Sequence, residues 1–380
     1  MLSARQRMPL QPARVEAFVC RAAIETPVQT SFGIMRDRPA VFVRVTDADG
    51  TEGWGEIWCN FPTVGAEHRA RLVDSVFAPL LLGQAFASPQ AAFARLTEHT
   101  AVLAIQAAEP GPMAQCIAGL DTALWDLHAR RENQPLWRLL GGTSRSVPVY
   151  ASGLNPTDPE KLAAQRLAQG HRAFKLKIGF GAERDAANLR ALRGVIGKLP
   201  LMVDANQAWD LEAALATSAT LAQFELAWLE EPLRADRPWA EWKQLAGASP
   251  VPLAGGENLA GHDAFEQAIG SGALAVVQPD LAKWGGLSAC LRVAQAIRAH
   301  GLRYCPHYLG AGIGLLASAH LLAAVGGDGM LEIDANPNPL RSLTCGPVEM
   351  VREGRVTLGD EAGLGTPPDL AALREYVVPH

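Results

Sequence analysis

Residues 174–206 read FKLKIGFGAERDAANLRALRGVIGKLPLMVDAN. Phe174, Leu176 and Ile178 alternate with Lys175 and Lys177, and this period of two describes a strand with its apolar side chains on one face and both lysines on the other. The spacing then predicts a helix over about 182–196, followed by a second short strand, LMVDAN. Strand, helix and strand at this length form one unit of a parallel sheet. The two ammonium groups on one face pose the question. A lone K-x-K would mark a solvated edge strand, and the rest of the chain has to decide.

The unit repeats in both directions. VPVYAS (147–152), LAWLEEP (226–232), VPLAGGE (251–257), LAVVQPD (274–280), RYCPH (303–307) and MLEID (330–334) supply six more candidate strands. Helical patterns lie near 159–169, 210–223, 262–270 and 287–299, and in GLLASAHLLAA (314–324). Asp158 is placed to cap a helix whose first residue is Pro159, and Gly170 sits where that helix must end. Eight such strands indicate an α/β fold with a closed TIM-like barrel, not an open doubly wound sheet. The first 140 residues differ: AVFVRVTDADGTEGWGEIW (40–58) reads as a hairpin turning at 47–50, and helical stretches fill roughly 64–130. The expected organisation is an α+β capping domain over 1–143, a barrel over 144–345, and a turn-rich C-terminal segment over 346–380 that packs back on the capping domain.

The chain has 380 residues, of which 48% are hydrophobic and 19% charged, enough to bury a large core. A net charge of −5 and no basic run argue against a nucleic-acid partner and favour small molecules. The N-terminus lacks the apolar stretch of a signal peptide, and GIGLLASAHLLAAVGG is too short to span a membrane and reads as a packed helix. The six cysteines are scattered, with no C-x-x-C pair, which fits reduced thiols in the cytoplasm.

Chemistry in such a barrel collects at the C-terminal ends of the strands. Those ends carry Lys175 and Lys177, then Asp204 with Asn206, Glu230 with Glu231, Glu257, Asp280, His307 and Glu332. Asp204, Glu230 and Glu257 recur at intervals of 26 and 27 residues, one barrel unit each, so all three carboxylates aim at one point. Converging carboxylates repel, and a hard divalent cation with oxygen ligands resolves the repulsion. Mg2+ fits best, because three protein oxygens leave positions for a chelating substrate.

With these motifs in view, KLK (175–177), VDAN (203–206), LEEP (229–232), GGEN (255–258), QPD and KWGG (278–286), PH (306–307) and LEID (331–334), together with GWGE (53–56) and GLDTALWDL (119–127) in the first module, the chain resembles the enolase superfamily, and within it the mandelate racemase branch. The resemblance implies a (β/α)7β barrel with a capping domain completed by the C-terminus. It implies Mg2+-assisted removal of the proton next to a carboxylate, giving an enediolate. Carried onto this sequence, it makes Asp204, Glu230 and Glu257 the metal ligands and places Glu231 just behind them. Lys177 becomes the base on one substrate face, with Lys175 lowering its pKa and contacting the carboxylate. His307, oriented by Asp280, serves the other face, and protonated Glu332 hydrogen-bonds the substrate carboxylate.

Lys283, before Gly285 and Gly286, occupies the place of a second base in branches acting on muconate or dipeptides. The Asp280 and His307 pair makes Lys283 a supporting ion-pair partner instead. Asn206 would orient a water or ligand. KIGFG, PHYLGAG and EIDANPNPLR (332–341) look most like galactarolactone cycloisomerase and neighbouring acid-sugar enzymes. An acid sugar or its lactone is therefore the expected small-molecule carboxylate, and the outcome is racemisation or epimerisation, cycloisomerisation or, alternatively, dehydration. The stretch Glu25 to Arg38 would fold over the mouth as a loop, with Arg36 or Arg38 either meeting a distal carboxylate or lying solvated on the surface, and Trp58 lining the pocket. His128, His171 and His320 fall in or beside helices and are assigned structural roles. Family members assemble as dimers or octamers, so a homo-oligomer is implied. A reading from another class, a barrel that binds acid sugars or metal without turnover, would not need Lys177 with a His307–Asp280 pair opposite.

Overall fold

The alternation of Phe174, Leu176 and Ile178 with the lysines becomes two environments. In the computed structural model, which describes residues 9–30 and 33–380, the three apolar side chains join the large core that includes Leu189 and Leu192 of the helix Ala182–Ile196. Lys175 turns inward above Tyr150, Met202, Trp228, Ala254, Val276 and Cys305, which fill the barrel floor.

Three strands precede the barrel: β1 (Pro12–Gln29), β2 (Ile34–Asp47) and β3 (Glu52–Ile57), an antiparallel sheet in that order. β2 and β3 form the hairpin read from the sequence. The stretch expected to be a loop over the mouth is instead the end of β1 and the start of β2, paired through Val28 and Met35. Thr26 and Val28 on β1 and Ile34 on β2 are β-branched and favour extended backbone in this region. The sheet lies on the helix Pro110–Arg131 at very short range. A Cβ at Gly55 would stand 1.9 Å from the Gly119 carbonyl oxygen, and one at Gly53 would stand 2.1 Å from that of Ala123. The glycines of GWGE therefore serve the close approach of strand to helix.

The barrel strands are β4 (Ser146–Leu154), β5 (Phe174–Lys177), β6 (Leu201–Asp204), β7 (Leu229–Glu230), β8 (Leu253–Gly255), β9 (Val276–Val277), β10 (Arg303–Tyr304) and β11 (Leu331–Asp334). All neighbours are parallel, in chain order from β4 to β10, and β11 returns beside β4. A helix follows each strand from β4 to β10, including Trp239–Ala248, to which the periodicity assigned no element. The helix Gly312–Val325 is buried on nearly every side, as its unbroken apolar run requires. Asp158 departs from expectation: its side chain makes no capping bond and instead meets Lys161 Nζ at 2.8 Å.

Among the described residues no backbone ladder joins β10 to β11. That seam is closed by the Met330 N–H donating to Cys305 Sγ at 3.4 Å and the Tyr308 N–H donating to Glu332 Oε2 at 3.1 Å. Gly329 abuts the chain across it; a Cβ there would lie 1.9 Å from the Tyr304 carbonyl oxygen. After the barrel, β12 (Arg355–Thr357) pairs antiparallel with β4, Gly363 bridges Pro135, and the Val378 N–H donates to the Val19 carbonyl of β1 at 2.9 Å. No helix among the described residues is long and apolar enough to cross a membrane. All six cysteines are free and buried.

Candidate active site

Strand register builds the centre of the site. Lys177 on β5, Asp204 on β6 and Glu230 on β7 are successive cross-strand partners, so their side chains rise in one layer. Lys177 Nζ meets Asp204 Oδ2 at 2.5 Å. Lys175, fully buried one layer below, donates to Glu230 Oε1 at 2.5 Å and Glu332 Oε1 at 2.8 Å. Glu257, two residues past β8, contacts His307 Nε2 through Oε2 and lies 3.6 Å from Lys283 Nζ through Oε1. His307 Nδ1 meets Asp280 Oδ2 at 2.7 Å, and Asp280 Oδ1 accepts the Ala282 and Lys283 N–H groups at 2.8 and 3.1 Å. The structure thus brings all eight strand-end groups into one buried cluster.

Residues that motif reading left without a role hold this cluster in place. Asn258 donates through Nδ2 to both Glu231 oxygens at 2.9 and 3.0 Å and to Glu257 Oε1 at 2.9 Å, and accepts from Lys283 Nζ at 3.1 Å. Gln278 Nε2 and Trp228 Nε1 both donate to Glu230 Oε2, at 2.6 and 3.2 Å. Ser152 donates to Glu332. Gln278 and Asn258 stand within the QPD and GGEN motifs, so position on a strand-end face was the available signal; Ser152 and Trp228 had none. Asn206 turns back on its own strand, its backbone and side-chain N–H groups donating to Asp204 at 2.8 and 3.1 Å. Lys283 stands over the Trp58 ring at 5.1 Å, which puts Trp58 at the edge of the cluster.

One expectation about the cap changes. Arg38 neither lies on the surface nor reaches into the mouth. It is 2% exposed and ion-paired with Asp334 at the end of β11. Burial of both groups makes this a fixed joint, since a desolvated charge must keep its partner. Asp334 also accepts the Asn336 N–H at 3.0 Å and Asn336 Nδ2 at 2.8 Å, and Asn336 Nδ2 donates onward to the Gly153 carbonyl at 2.8 Å. The unusual EIDANPNPLR stretch therefore ties cap, β4 and β11 together. Arg36 is exposed on β2.

Electrostatics bears on two further expectations, in the cluster without its cation. Burial pushes the Lys177 ammonium down, and Lys175 adds to this, but Asp204, Glu257 and Glu230 prevail, and the net direction is upward. Repulsion between the two lysines is not enough to neutralise Lys177. Burial pushes the Glu332 carboxyl up, but Lys175 and His307 outweigh it and hold it below the usual carboxylate range. Burial likewise opposes charge on His307, while Glu257, Glu332 and the Asp280 hydrogen bond raise it to about 10. Glu230 is pushed up to about 7 by burial and by Asp204, Glu332 and Glu257, against Lys175. Burial, Glu257 and Asp204 drive Glu231 well above its ordinary value.

Beside burial, a shortage of positive charge contributes to these shifts. Six buried carboxylates (Asp204, Glu230, Glu231, Glu257, Asp280 and Glu332) face Lys175, Lys177, Lys283 and one imidazole, His307. Even with His307 protonated, two positive charges are missing, which is the charge of one divalent cation. Among the described residues no three such groups already stand in metal-ligating positions. The donor set nevertheless fits a hard cation, being carboxylate oxygen throughout.

The chain is similar to known proteins over most of its length. Residues 14–141 match the model of the mandelate racemase/muconate lactonizing enzyme N-terminal domain, and residues 159–372 match that of the enolase C-terminal domain-like family. The chain belongs to the mandelate racemase/muconate lactonizing enzyme family. It is an enzyme of that kind, and its relatives are named cycloisomerases, dehydratases, racemases and synthases. D-galactarolactone cycloisomerase of Agrobacterium fabrum is 33% identical, over 94% of this chain and 96% of that one. L-talarate/galactarate dehydratase of Salmonella typhimurium is 36% identical over 67% of this chain and 63% of its own length. Among solved structures, a mandelate racemase/muconate lactonizing enzyme from Bordetella bronchiseptica RB50 matches with TM-score 0.92 and 59% identity, over 97% of this chain and 99% of that one. A racemase from Streptomyces coelicolor A3(2) with bound magnesium matches with TM-score 0.85 and 30% identity, over 97% and 100%. In this family setting the (β/α)7β fold with an antiparallel N-terminal sheet is the shared scaffold.

Proposed function

We propose that this enzyme removes the proton α to the carboxylate of an acid sugar or its lactone, through an enediolate, with Mg2+ as cofactor. The observation that carries the reading is the in-register layer of Lys177, Asp204 and Glu230 facing a histidine held by Asp280. Asp204, Glu230 and Glu257 would hold the cation. When bound, Mg2+ supplies the missing positive charge, stabilises the negative charge developing on the substrate carboxylate, and weakens the carboxylate field that keeps Lys177 protonated.

Lys177 Nζ takes the α-proton on one face once its own proton is lost. Lys175, charged and held by Glu230 and Glu332, keeps that position electropositive. His307 carries its mobile proton on Nε2, because Nδ1 is engaged with Asp280. From there it protonates the opposite carbon face, a β-hydroxyl or an opening lactone oxygen. Asn258 and Gln278 fix the carboxylate orientations, and the Arg38–Asp334 joint holds the cap against the barrel.

Cycloisomerisation of a lactone is favoured by the long match to the galactarolactone enzyme. The dehydratase relative favours dehydration as the second outcome of the same proton abstraction. The small-molecule substrate, a homo-oligomeric assembly and a cytoplasmic setting belong to the same reading. The acid-sugar relatives support the substrate, the exposed Val102 and Ile105 on the helix Pro89–Gln106 support the assembly, and the free thiols support the cytoplasmic setting. Incubation with acid sugars and their lactones in D2O containing Mg2+, followed by NMR, tests it. Deuterium at the α-carbon or product formation is expected. Neither from any compound in a broad panel would sink the proposal.

A further inference from the structure

Glu332 turns into the barrel, while its neighbour Ile333 turns outward and lines a separate cavity of about 420 Å³. That cavity lies between the helices Pro159–Ala168 and Pro339–Thr344 and the segment 348–352. Its size suits a small ligand.

Its charged lining is unbalanced. Arg166, Arg341 and Arg352 face it with the acids Asp334 and Glu349. Asp334 is committed to Arg38 and Asn336. Glu349 accepts Ser342 Oγ at 3.0 Å and Cys345 Sγ at 3.2 Å. Counting Arg38, four guanidiniums stand against two carboxylates, an excess of two positive charges.

Two of the arginines are also fixed in place. Arg166 donates through Nε and Nη2 to the Ala335 carbonyl, the first at 2.9 Å, and through Nη1 to Gln169 Oε1 at 2.6 Å. Arg341 is 4% exposed and donates through Nη1 to the Asn336 carbonyl at 3.2 Å. Its Nε has no hydrogen-bond partner. The nearest carboxylate oxygens, Glu349 Oε2 at 3.8 Å from Nε and Asp334 Oδ2 at 3.9 Å from Nη1, are too far for hydrogen bonds. Burial and the Arg341 charge both push the Arg166 guanidinium below its ordinary value. A buried guanidinium with no carboxylate in hydrogen-bond range, beside a second arginine, is one half of a charge pair.

We propose that this cavity, on the outer face of β11, is a binding site for a doubly charged oxyanion, either inorganic phosphate or a small dicarboxylate. The anion is paired by the guanidiniums of Arg341, Arg166 and Arg352 that line the cavity, and neutralises the excess charge. It sits on the far side of the strand from Glu332.

Calorimetric and thermal-shift titrations of the full chain at pH 7.5, with ionic strength held by NaCl, test the site. Phosphate and succinate are the two arms, and whichever saturates at one equivalent and raises Tm identifies the source of the charge. Arg166→Met and the exposed Arg352→Met are each expected to weaken that binding roughly tenfold or more. Arg352→Met leaves the packed interior untouched, so its result stands even if Arg166→Met or Arg341→Met unfolds. No saturable binding by either anion, or equal affinity in wild type and Arg352→Met, would overturn the assignment.

Discussion

Arg38 of the cap and Asp334 at the end of the last barrel strand form an ion pair in which each side chain is 2% exposed. Removing one partner leaves the other charge buried and alone, which costs about 3–5 kcal/mol. Arg38→Met is therefore expected to lose that much stability in urea unfolding. Arg36→Met, on the exposed part of the same strand, should change stability by less than about 0.5 kcal/mol. Equal effects would mean the pair is not a fixed joint.

Glu56, the acid of GWGE, plays a parallel part from β3. It accepts the Ala311 and Gly314 N–H groups at 2.6 and 2.9 Å, at the start of the helix Gly312–Val325. It also hydrogen-bonds the Tyr308 hydroxyl, next in sequence to His307. Glu56→Ala leaves these donors unsatisfied, at about 1–3 kcal/mol for each buried group. Stability is expected to fall, and kcat to fall more than KM changes, because His307 loses its support. Unchanged kcat would separate Glu56 from the catalytic histidine.

His307→Asn and Lys177→Ala should each lower turnover by roughly 10²–10⁴-fold, the usual range for a positioned acid or base. In D2O, the two variants should differ in which substrate face exchanges its α-proton. If both variants turned over a true substrate at the wild-type rate, the role assignment would fail.

Chelation with EDTA should abolish turnover, and Mg2+ should restore it. Independently of activity, Mg2+ is expected to stabilise the fold, by about 2.7 kcal/mol at a hundredfold excess over Kd. Asp204→Asn should weaken the Mg2+-dependent Tm rise. A rise of the same size in that variant would place the cation elsewhere.

Acid stability should depend on His320. Its Nδ1 accepts the Trp137 N–H at 3.0 Å, and burial lowers its pKa to about 3, from 6.5 for a free imidazole. Between these values the unfolded chain binds a proton that the folded chain refuses, so stability falls as the pH drops below about 6.5. The full effect is roughly 5 kcal/mol. His320→Gln should flatten that limb of the stability curve measured from pH 7 to pH 4.

The strand ends were readable because two regularities coincide there: side chains alternate along a strand, and each barrel unit places its end at the same height. Asp204, Glu230 and Glu257 obey both. Ser152, Trp228 and Tyr308 were not singled out, since their importance comes from neighbours distant in the chain. Arg38 was misjudged for the same reason, as its partner is 296 residues away. The net pKa directions of Lys177 and Glu332 were also out of reach, because each depends on a sum over several charges from different strands. Lys175 beside Lys177 is only one contribution, and the carboxylates outweigh it.

The joint between β10 and β11 gives the barrel a clasp. Everywhere else the ring is riveted by backbone amides; here a thiol, a carboxylate and a missing methyl group hold it shut. His307 follows one side of the clasp and Glu332 lies on the other. A side chain at Gly329 would force the two edges apart, and a change at Cys305 would remove the acceptor of the Met330 N–H, so both positions act on the spacing of two reactive groups without touching either.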